Sequence, residues 1–212
     1  MTRFRDRAHA GRRLAPLLTA SARDDMLVVG LPRGGVIVAG EVAAALDVPL
    51  DVIIVQKIGH PDQPELAIGA LGENGVRVLE DGAISSLGIT TDSLADAEER
   101  ATAELSRRIA RFRGTTSPPD LAGRHVVVVD DGIATGATAA AACGVARAAG
   151  ADRITLAMPV APRGWEHRFD ELADELVAVD TPRSFGSVGR FYVDFDQTTD
   201  AEVLAALAAA RS

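Results

Sequence analysis

Only 4% of the 212 residues are aromatic, while 47% are hydrophobic. A core of this chain must therefore be assembled from Ala, Val, Leu and Ile, which suits helices packed on a parallel sheet. Cysteine occurs once, at Cys143. That excludes an internal disulfide, no Cys/His cluster has zinc spacing, and the thiol is expected to be buried and structural. Positive charge is also short: 22 Lys and Arg face 30 Asp and Glu, a formal net charge of −8. This balance argues against sequence-independent binding to nucleic acid, so a polyanionic ligand must be held by a local cluster of donors. No apolar run reaches transmembrane length and no secretory signal opens the chain, so no membrane partner is expected and a cytoplasmic location is. A Gly-Lys-Ser/Thr phosphate loop and a G-x-G-x-x-G fingerprint are both missing. No internal repeat, linker or low-complexity tract divides the chain, and its length fits one domain spanning residues 1–212.

What the sequence does have is concentrated in one run. Val126-Val127-Val128-Val129 is a stretch of four β-branched residues with no polar alternation. It reads as a strand buried on both faces, central in a parallel sheet. Asp130-Asp131-Gly132-Ile133-Ala134-Thr135-Gly136-Ala137-Thr138 follows, and then an alanine-rich helix over 139–149. This order puts two carboxylates at the strand's carboxyl end and Thr135 to Thr138 at a helix N-terminus. Backbone N–H groups and the helix dipole make that turn a phosphate seat. The aspartates are then placed to hold sugar hydroxyls or Mg²⁺, which takes oxygen ligands.

A second strand–loop–helix unit precedes it. Met26 to Gly30 reads as a strand, Leu31-Pro32-Arg33-Gly34-Gly35 as its loop, and 36–46 as the helix. Gly34 and Gly35 permit close backbone approach, and Arg33 presents a planar fork to phosphate oxygens. Upstream, residues 3–20 carry apolar residues at helical spacing among Arg3, Arg5, Arg7, Arg12 and Arg13. These arginines are expected to form a solvated helix face, with phosphate steering as the other reading.

Residues 51–56 read as the next buried strand and Lys57 to Glu65 as a loop, in which His60 is expected to face solvent, with a proton donor as the other reading. Strands at 66–71 and 76–79 flank Gly72-Glu73-Asn74-Gly75, whose Asn-Gly supports a hairpin. A long helix is expected over 92–113, capped by Thr91 or Asp92, with its charges solvated. Strands at 153–159 and 175–179 enclose a helix over 163–173, and 202–210 closes the chain as a helix. Residues 181–196 gather Phe185, Phe191, Tyr192 and Phe195 in a Gly-rich segment. They form either a small cap or subunit contact, or a plug at the core's edge.

The run from Val126 to Thr138 resembles the phosphoribosylpyrophosphate (PRPP) loop of the type I phosphoribosyltransferases: apolar strand, two acids, three variable positions, then Thr-Gly-x-Thr. The resemblance implies that Ile133, Ala134, Thr135, Gly136, Ala137 and Thr138 bind the 5-phosphate, and that Asp130 and Asp131 contact the ribose hydroxyls. It implies that Pro32, Arg33, Gly34 and Gly35 bind pyrophosphate, with a non-proline cis peptide at Pro32–Arg33. It also implies a mobile lid over 57–65 in which Lys57 reaches the pyrophosphate. Many relatives have Arg-Lys at this junction, and here Gln56 takes the Arg position. A bacterial subgroup of phosphoribosyltransferases is similar in three runs, at 57–70, 130–138 and 191–198.

The expected fold is α/β: a mostly parallel central sheet with helices on both faces, a hairpin excursion and a small C-terminal hood. The core is expected at about 21–180, and the hood from the N-terminal helix and about 181–212. The resemblance implies transfer of ribose 5-phosphate from PRPP to a nitrogen acceptor, with Asp130, Asp131, Lys57 and Arg33 as catalytic residues. Mg²⁺ would bind through PRPP, with Asp130 and Asp131 as further ligands. A homodimer is expected. A PRPP-binding regulatory module without catalysis is the alternative, against which Arg33 and Lys57 argue. For the acceptor, the hypoxanthine-guanine branch has an aspartate where Ala134 stands, so 6-oxopurines are expected to be poor substrates. Phe185, Phe191 or Tyr192 are expected to stack on the ring.

Overall fold

A computed structural model describes residues 3–210 except Ala22 and Glu65, so Glu65 of the expected lid and residues 211–212 of the expected hood lie outside the described residues. Five strands form one parallel sheet: β1 (Met26–Gly30), β2 (Leu50–Val52), β6 (His125–Val129), β7 (Arg153–Val160) and β8 (Glu175–Asp180), in the order β2-β1-β6-β7-β8. The Val126–Val129 run lies in the middle strand, as its unbroken hydrophobicity demands. Alternate residues of β1 and β6 serve opposite faces. Leu27, Val29, Val126 and Val128 pack with Ala139, Ala142 and Cys143 of α5 (Ala137–Ala148). Met26, Val28, Val127 and Val129 pack with Leu14 and Leu18 of α1 (Arg7–Leu18) and with Val36 and Val38 of α2 (Gly34–Leu46). Small and branched aliphatic side chains fill both layers. Burial pushes the Cys143 thiol up to about 12, which leaves it an inert core group.

The apolar run at 51–56 does not form one strand. Chain pairing ends at Val52 on the sheet edge, and β3 (Val55–Gly59) starts a separate antiparallel sheet, β3-β4-β5, with β4 (Ala67–Gly72) and β5 (Arg77–Leu79). Ile53 and Ile54 make the crossing and each enters a different hydrophobic cluster. Continuous burial hides a change of sheet from any pattern of polarity. As a result Lys57 lies on a strand, not in a loop. The Asn-Gly turn is as expected: Asn74 and Gly75 both take the left-handed conformation between β4 and β5.

The helix α3 (Asp81–Ser86) leads into the long α4 (Thr91–Phe112), which buries Ala97, Ala101, Leu105 and Phe112. Its cap is Thr90, whose hydroxyl accepts from Ser93 N–H, rather than Thr91 or Asp92. Nor are all its charges solvated. The Arg113 side chain is 2% exposed and grips both carboxylate oxygens of Glu73, with Asp51 at 3.0 Å. It also donates to the Val52 carbonyl at 2.7 Å, joining the end of α4 to β2 and the hairpin turn. The helix expected over 163–173 is a single 3-10 turn, Trp165–Arg168. Pro162 before it and Gly164 at φ +78 break the helical path.

The last helix, α6 (Asp200–Ala209), opens with a Thr199–Glu202 capping box. Phe4, Phe191 and Tyr192 are buried together with Ala10 and Val160, and Phe4 N–H donates to the Phe191 carbonyl at 2.7 Å. The scarce aromatics thus join the N-terminal segment to the 185–195 segment, above the carboxyl ends of β6 and β7. No helix among the described residues is long and apolar enough to cross a membrane.

Candidate functional site

Strands β1 and β6 are parallel neighbours with Gly30 opposite Val129, so the loops that follow them emerge side by side. Leu31 N–H donates to the Val129 carbonyl at 2.9 Å and starts the first loop on the end of β6. The peptide Pro32–Arg33 is cis. Gly34 and Gly35 then lie directly on the second loop. A Cβ at Gly35 would stand 2.7 Å from the Val129 carbonyl oxygen and 2.9 Å from Asp130 Cα. One at Gly34 would stand 2.0 Å from Asp131 Oδ2. At Gly35 the close atoms are main chain, so no side chain fits there, whereas a side chain at Gly34 would have to push the Asp131 carboxylate and the Arg7 guanidinium aside.

Asp130 and Asp131 stand together at the end of β6. Asp130 Oδ1 accepts from Asp131 N–H at 2.9 Å. Burial, and then the charge of Asp131, pushes the Asp130 carboxyl well above the usual carboxylate range. Burial also raises Asp131, against the pull of Arg7. Arg7 Nε lies 2.7 Å from Asp131 Oδ2, and the two side chains are 13% and 16% exposed. The same guanidinium donates to the Asp196 carbonyl at 2.7 Å and lies 4.1 Å from the centre of the Phe195 ring. Arg7 therefore does not belong to a solvated helix face. Nothing in the arginine-rich N-terminal stretch distinguishes it from its neighbours, because its partner is 124 residues away.

The 133–138 segment has the expected backbone course, a loop leading into a helix N-terminus. Gly136 is in the left-handed conformation at the start of α5, and its end of the helix has no side-chain cap. Ala134, Thr135 and Thr138 are exposed, whereas Ile133 is buried and donates its N–H to the Val160 carbonyl at 3.0 Å. Arg168, which no local motif marks in the sequence, donates to the Thr135 carbonyl and braces the turn from outside. Open N–H groups at an uncapped helix start, with two hydroxyls, make an oxyanion seat.

Other expected site residues are dispersed. The Arg33 side chain pairs with Asp200 at 3.6 Å, at the start of α6. Arg108 donates to the Pro32 carbonyl at 3.4 Å and to the Val55 carbonyl at 2.8 Å, so α4 ties the first loop to β3. Lys57, the only lysine of the chain, lines a cavity of about 340 Å³ with His60 and Arg100, to which residues 31–35 and 130–138 do not contribute. His60 Nδ1 accepts from Asp62 N–H and shapes its own loop. Phe191 and Tyr192 are enclosed in the hood, and Tyr192 donates its hydroxyl to the Asp131 carbonyl. Phe185 stacks on Phe191 at 5.3 Å and keeps part of its ring exposed.

Two loops from adjacent strands, a carboxylate pair and a helix-start anion seat suit a phosphorylated sugar. Residues 6–196 match the family described as phosphoribosyl transferase domain. A Mycobacterium tuberculosis H37Rv protein whose name proposes a phosphoribosyl transferase is 50% identical over 207 residues, 98% of this chain. The same values hold for its counterpart in strain CDC 1551. The chain spans about half the length of these relatives, 47% of each. The crystal structure of a Thermus thermophilus protein, 42% identical, superposes with a TM-score of 0.87 over 97% of this chain and 98% of that one. This chain belongs to the phosphoribosyl transferase domain family.

Proposed function

We propose that the chain transfers the ribose 5-phosphate unit of PRPP to a nitrogen acceptor, a nucleobase or related heterocycle, and releases pyrophosphate. The observation that carries this reading is the packing of Gly34 and Gly35 on Asp131 and Asp130, which puts the 31–35 loop beside the carboxylates. In this reading the 133–138 turn takes the 5-phosphate, and Asp130 and Asp131 take the ribose hydroxyls. Residues Pro32 to Gly35, with Lys57, take the pyrophosphate. The C–N bond to the acceptor forms as the anomeric C–O bond breaks, and the electron pair leaves with pyrophosphate. Positive charge develops at the anomeric carbon, so positioning and electrostatic stabilisation supply the catalysis and no protein nucleophile is needed.

Two adjacent carboxylates countered by one guanidinium fit a divalent cation. Asp130 and Asp131 would hold Mg²⁺ together with phosphate oxygens, and the ion would offset the charge of the departing pyrophosphate. Arg33 is turned to Asp200, which favours, as a second reading, a PRPP-binding regulatory module without catalysis. Incubation with PRPP, Mg²⁺ and a panel of bases separates them. Pyrophosphate release supports the transferase, and PRPP binding without release supports the module. Neither binding nor release overturns both. A homodimer in the cytoplasm is the proposed setting, and a monomeric mass in sedimentation would remove the first part.

A further inference from the structure

The carboxylate of Asp131 is met by a cation from the far end of the chain. Arg7, the first residue of α1, reaches three parts of the site with one guanidinium. Nε binds Asp131 Oδ2 at 2.7 Å and Nη1 binds the Asp196 carbonyl at 2.7 Å, with the Phe195 ring 4.1 Å beneath. Gly34 completes the contact, because a Cβ there would stand 2.6 Å from Arg7 Nε as well as 2.0 Å from Asp131 Oδ2. The hood, the carboxylate and the glycine loop therefore meet on one side chain.

We propose that Arg7 is a positioning residue for PRPP binding that acts through Asp131. It fixes Oδ2 and leaves Oδ1 to accept from a ribose hydroxyl. An exposed ion pair would achieve little of this, since two long side chains must be ordered against screening by water. Here the guanidinium is held from two further sides, so its ordering is already complete before a ligand arrives. The pair also has a consequence for the hood. A ligand hydroxyl on Asp131 favours the geometry in which Arg7, Phe195 and Asp196 are engaged, so binding and docking of the N-terminal helix support one another. This inference rests on the reading of the site as a PRPP site. The merely structural alternative is that Arg7 staples the hood and leaves Asp131 indifferent.

A double-mutant cycle separates the two. PRPP with Mg²⁺ is titrated calorimetrically into the wild type, Arg7→Met, Asp131→Asn and the double variant. Loss of a charge-assisted hydrogen bond predicts PRPP affinity about 10- to 100-fold weaker in Arg7→Met. In the Asp131→Asn background the same change is expected to weaken binding by less than about twofold, because coupled residues are not additive. Arg7→Lys, which can restore the charge beside Asp131 but not the fork to Asp196, is expected to recover most of the loss. Should Arg7→Met fail to fold, Arg7→Gln takes its place in the cycle, since it keeps a donor for the Asp196 carbonyl. Equal losses in both backgrounds, or unchanged affinity in Arg7→Met, overturn the role of Arg7. A wild type that binds no PRPP overturns instead the reading of the site on which this inference rests.

Discussion

Tyr192 donates its hydroxyl hydrogen to the main-chain carbonyl of Asp131 at 2.6 Å. The ring is buried and the phenol is pushed up by burial and by the charge of Asp131, so it stays a neutral donor across the physiological range. The hydroxyl therefore fixes the backbone of the residue whose side chain Arg7 holds. Tyr192→Phe leaves that carbonyl without its partner while keeping the ring packed between Phe4 and Phe195. The expected loss is about 1–3 kcal/mol of unfolding free energy, the cost of an unsatisfied partly buried acceptor. Urea denaturation at neutral pH with an unchanged slope is the measurement. A midpoint equal to the wild type would show that the hydroxyl is only filling space.

Asp130 is held where its charged form is disfavoured, first by burial and then by Asp131. A carboxyl whose pKa is raised in the fold is ionised less readily there than in the unfolded chain. The contribution of Asp130 to stability is therefore greatest below the unfolded value near 3.8, and it declines as pH rises from there through the folded pKa. Asp130→Asn keeps the acceptor for Asp131 N–H and removes the charge. It is expected to be more stable than the wild type at pH 7, with the gap closing toward pH 3, and to bind PRPP more weakly. Destabilisation at pH 7 would contradict the burial argument, and unchanged PRPP affinity in the double variant with Asp131→Asn would remove the ribose assignment.

The parts of this fold that are written locally were legible. The Val126–Val129 run, the two acids and the Thr-Gly-x-Thr turn are contiguous, so burial, strand end and helix start follow from neighbours in the chain. The cis Pro32–Arg33 peptide followed from resemblance rather than from polarity, and it is present. What could not be read is set by distant partners. Arg7 finds Asp131, Arg113 finds Glu73 and Asp51, and Arg33 finds Asp200. An arginine that will be buried beside a carboxylate looks, in sequence, like one that will be solvated. The division of residues 51–56 between two sheets is illegible for a related reason, since uniform burial leaves no periodicity to break.

Lys57 supplies a test of whether the β3–β4 hairpin moves. In this structure it lines a cavity with His60 and Arg100 that residues 130–138 do not share. A role at the pyrophosphate requires the hairpin to close, and closure that excludes water strengthens each charge contact made in it. Lys57→Ala is then expected to lower turnover by about 10²–10³ while changing PRPP affinity much less, as for loss of one transition-state donor. Turnover and calorimetric affinity measured on the same preparation decide it. Wild-type turnover would make Lys57 a strand residue with no part in the reaction.

In the proposed reaction the acceptor would be set by what faces the anomeric carbon, and the residue before Thr135 is the most informative position. Ala134 is exposed at the turn, and its methyl side chain has no hydrogen bond to offer a ring edge. A 6-oxopurine seated there would bury polar edge atoms against a methyl group, and each unpaired buried group costs about 1–3 kcal/mol. Of the three aromatics considered for stacking, Phe191 and Tyr192 are committed to the hood, whereas Phe185 retains an exposed part of its ring. Guanine and hypoxanthine are therefore expected to react at least about tenfold more slowly than the best acceptor, the factor that about 1.4 kcal/mol represents. Phe185→Ala should raise the acceptor's KM more than it changes PRPP affinity. One assay compares guanine, hypoxanthine, adenine, uracil and orotate with PRPP and Mg²⁺ under a single condition, scored by pyrophosphate release. Ala134→Asp in the same assay supplies the converse, since a carboxylate at that position should improve the 6-oxopurines relative to the others. If guanine or hypoxanthine is already the preferred acceptor of the wild type, Ala134 does not set the choice, and ring recognition must come from backbone groups of the hood.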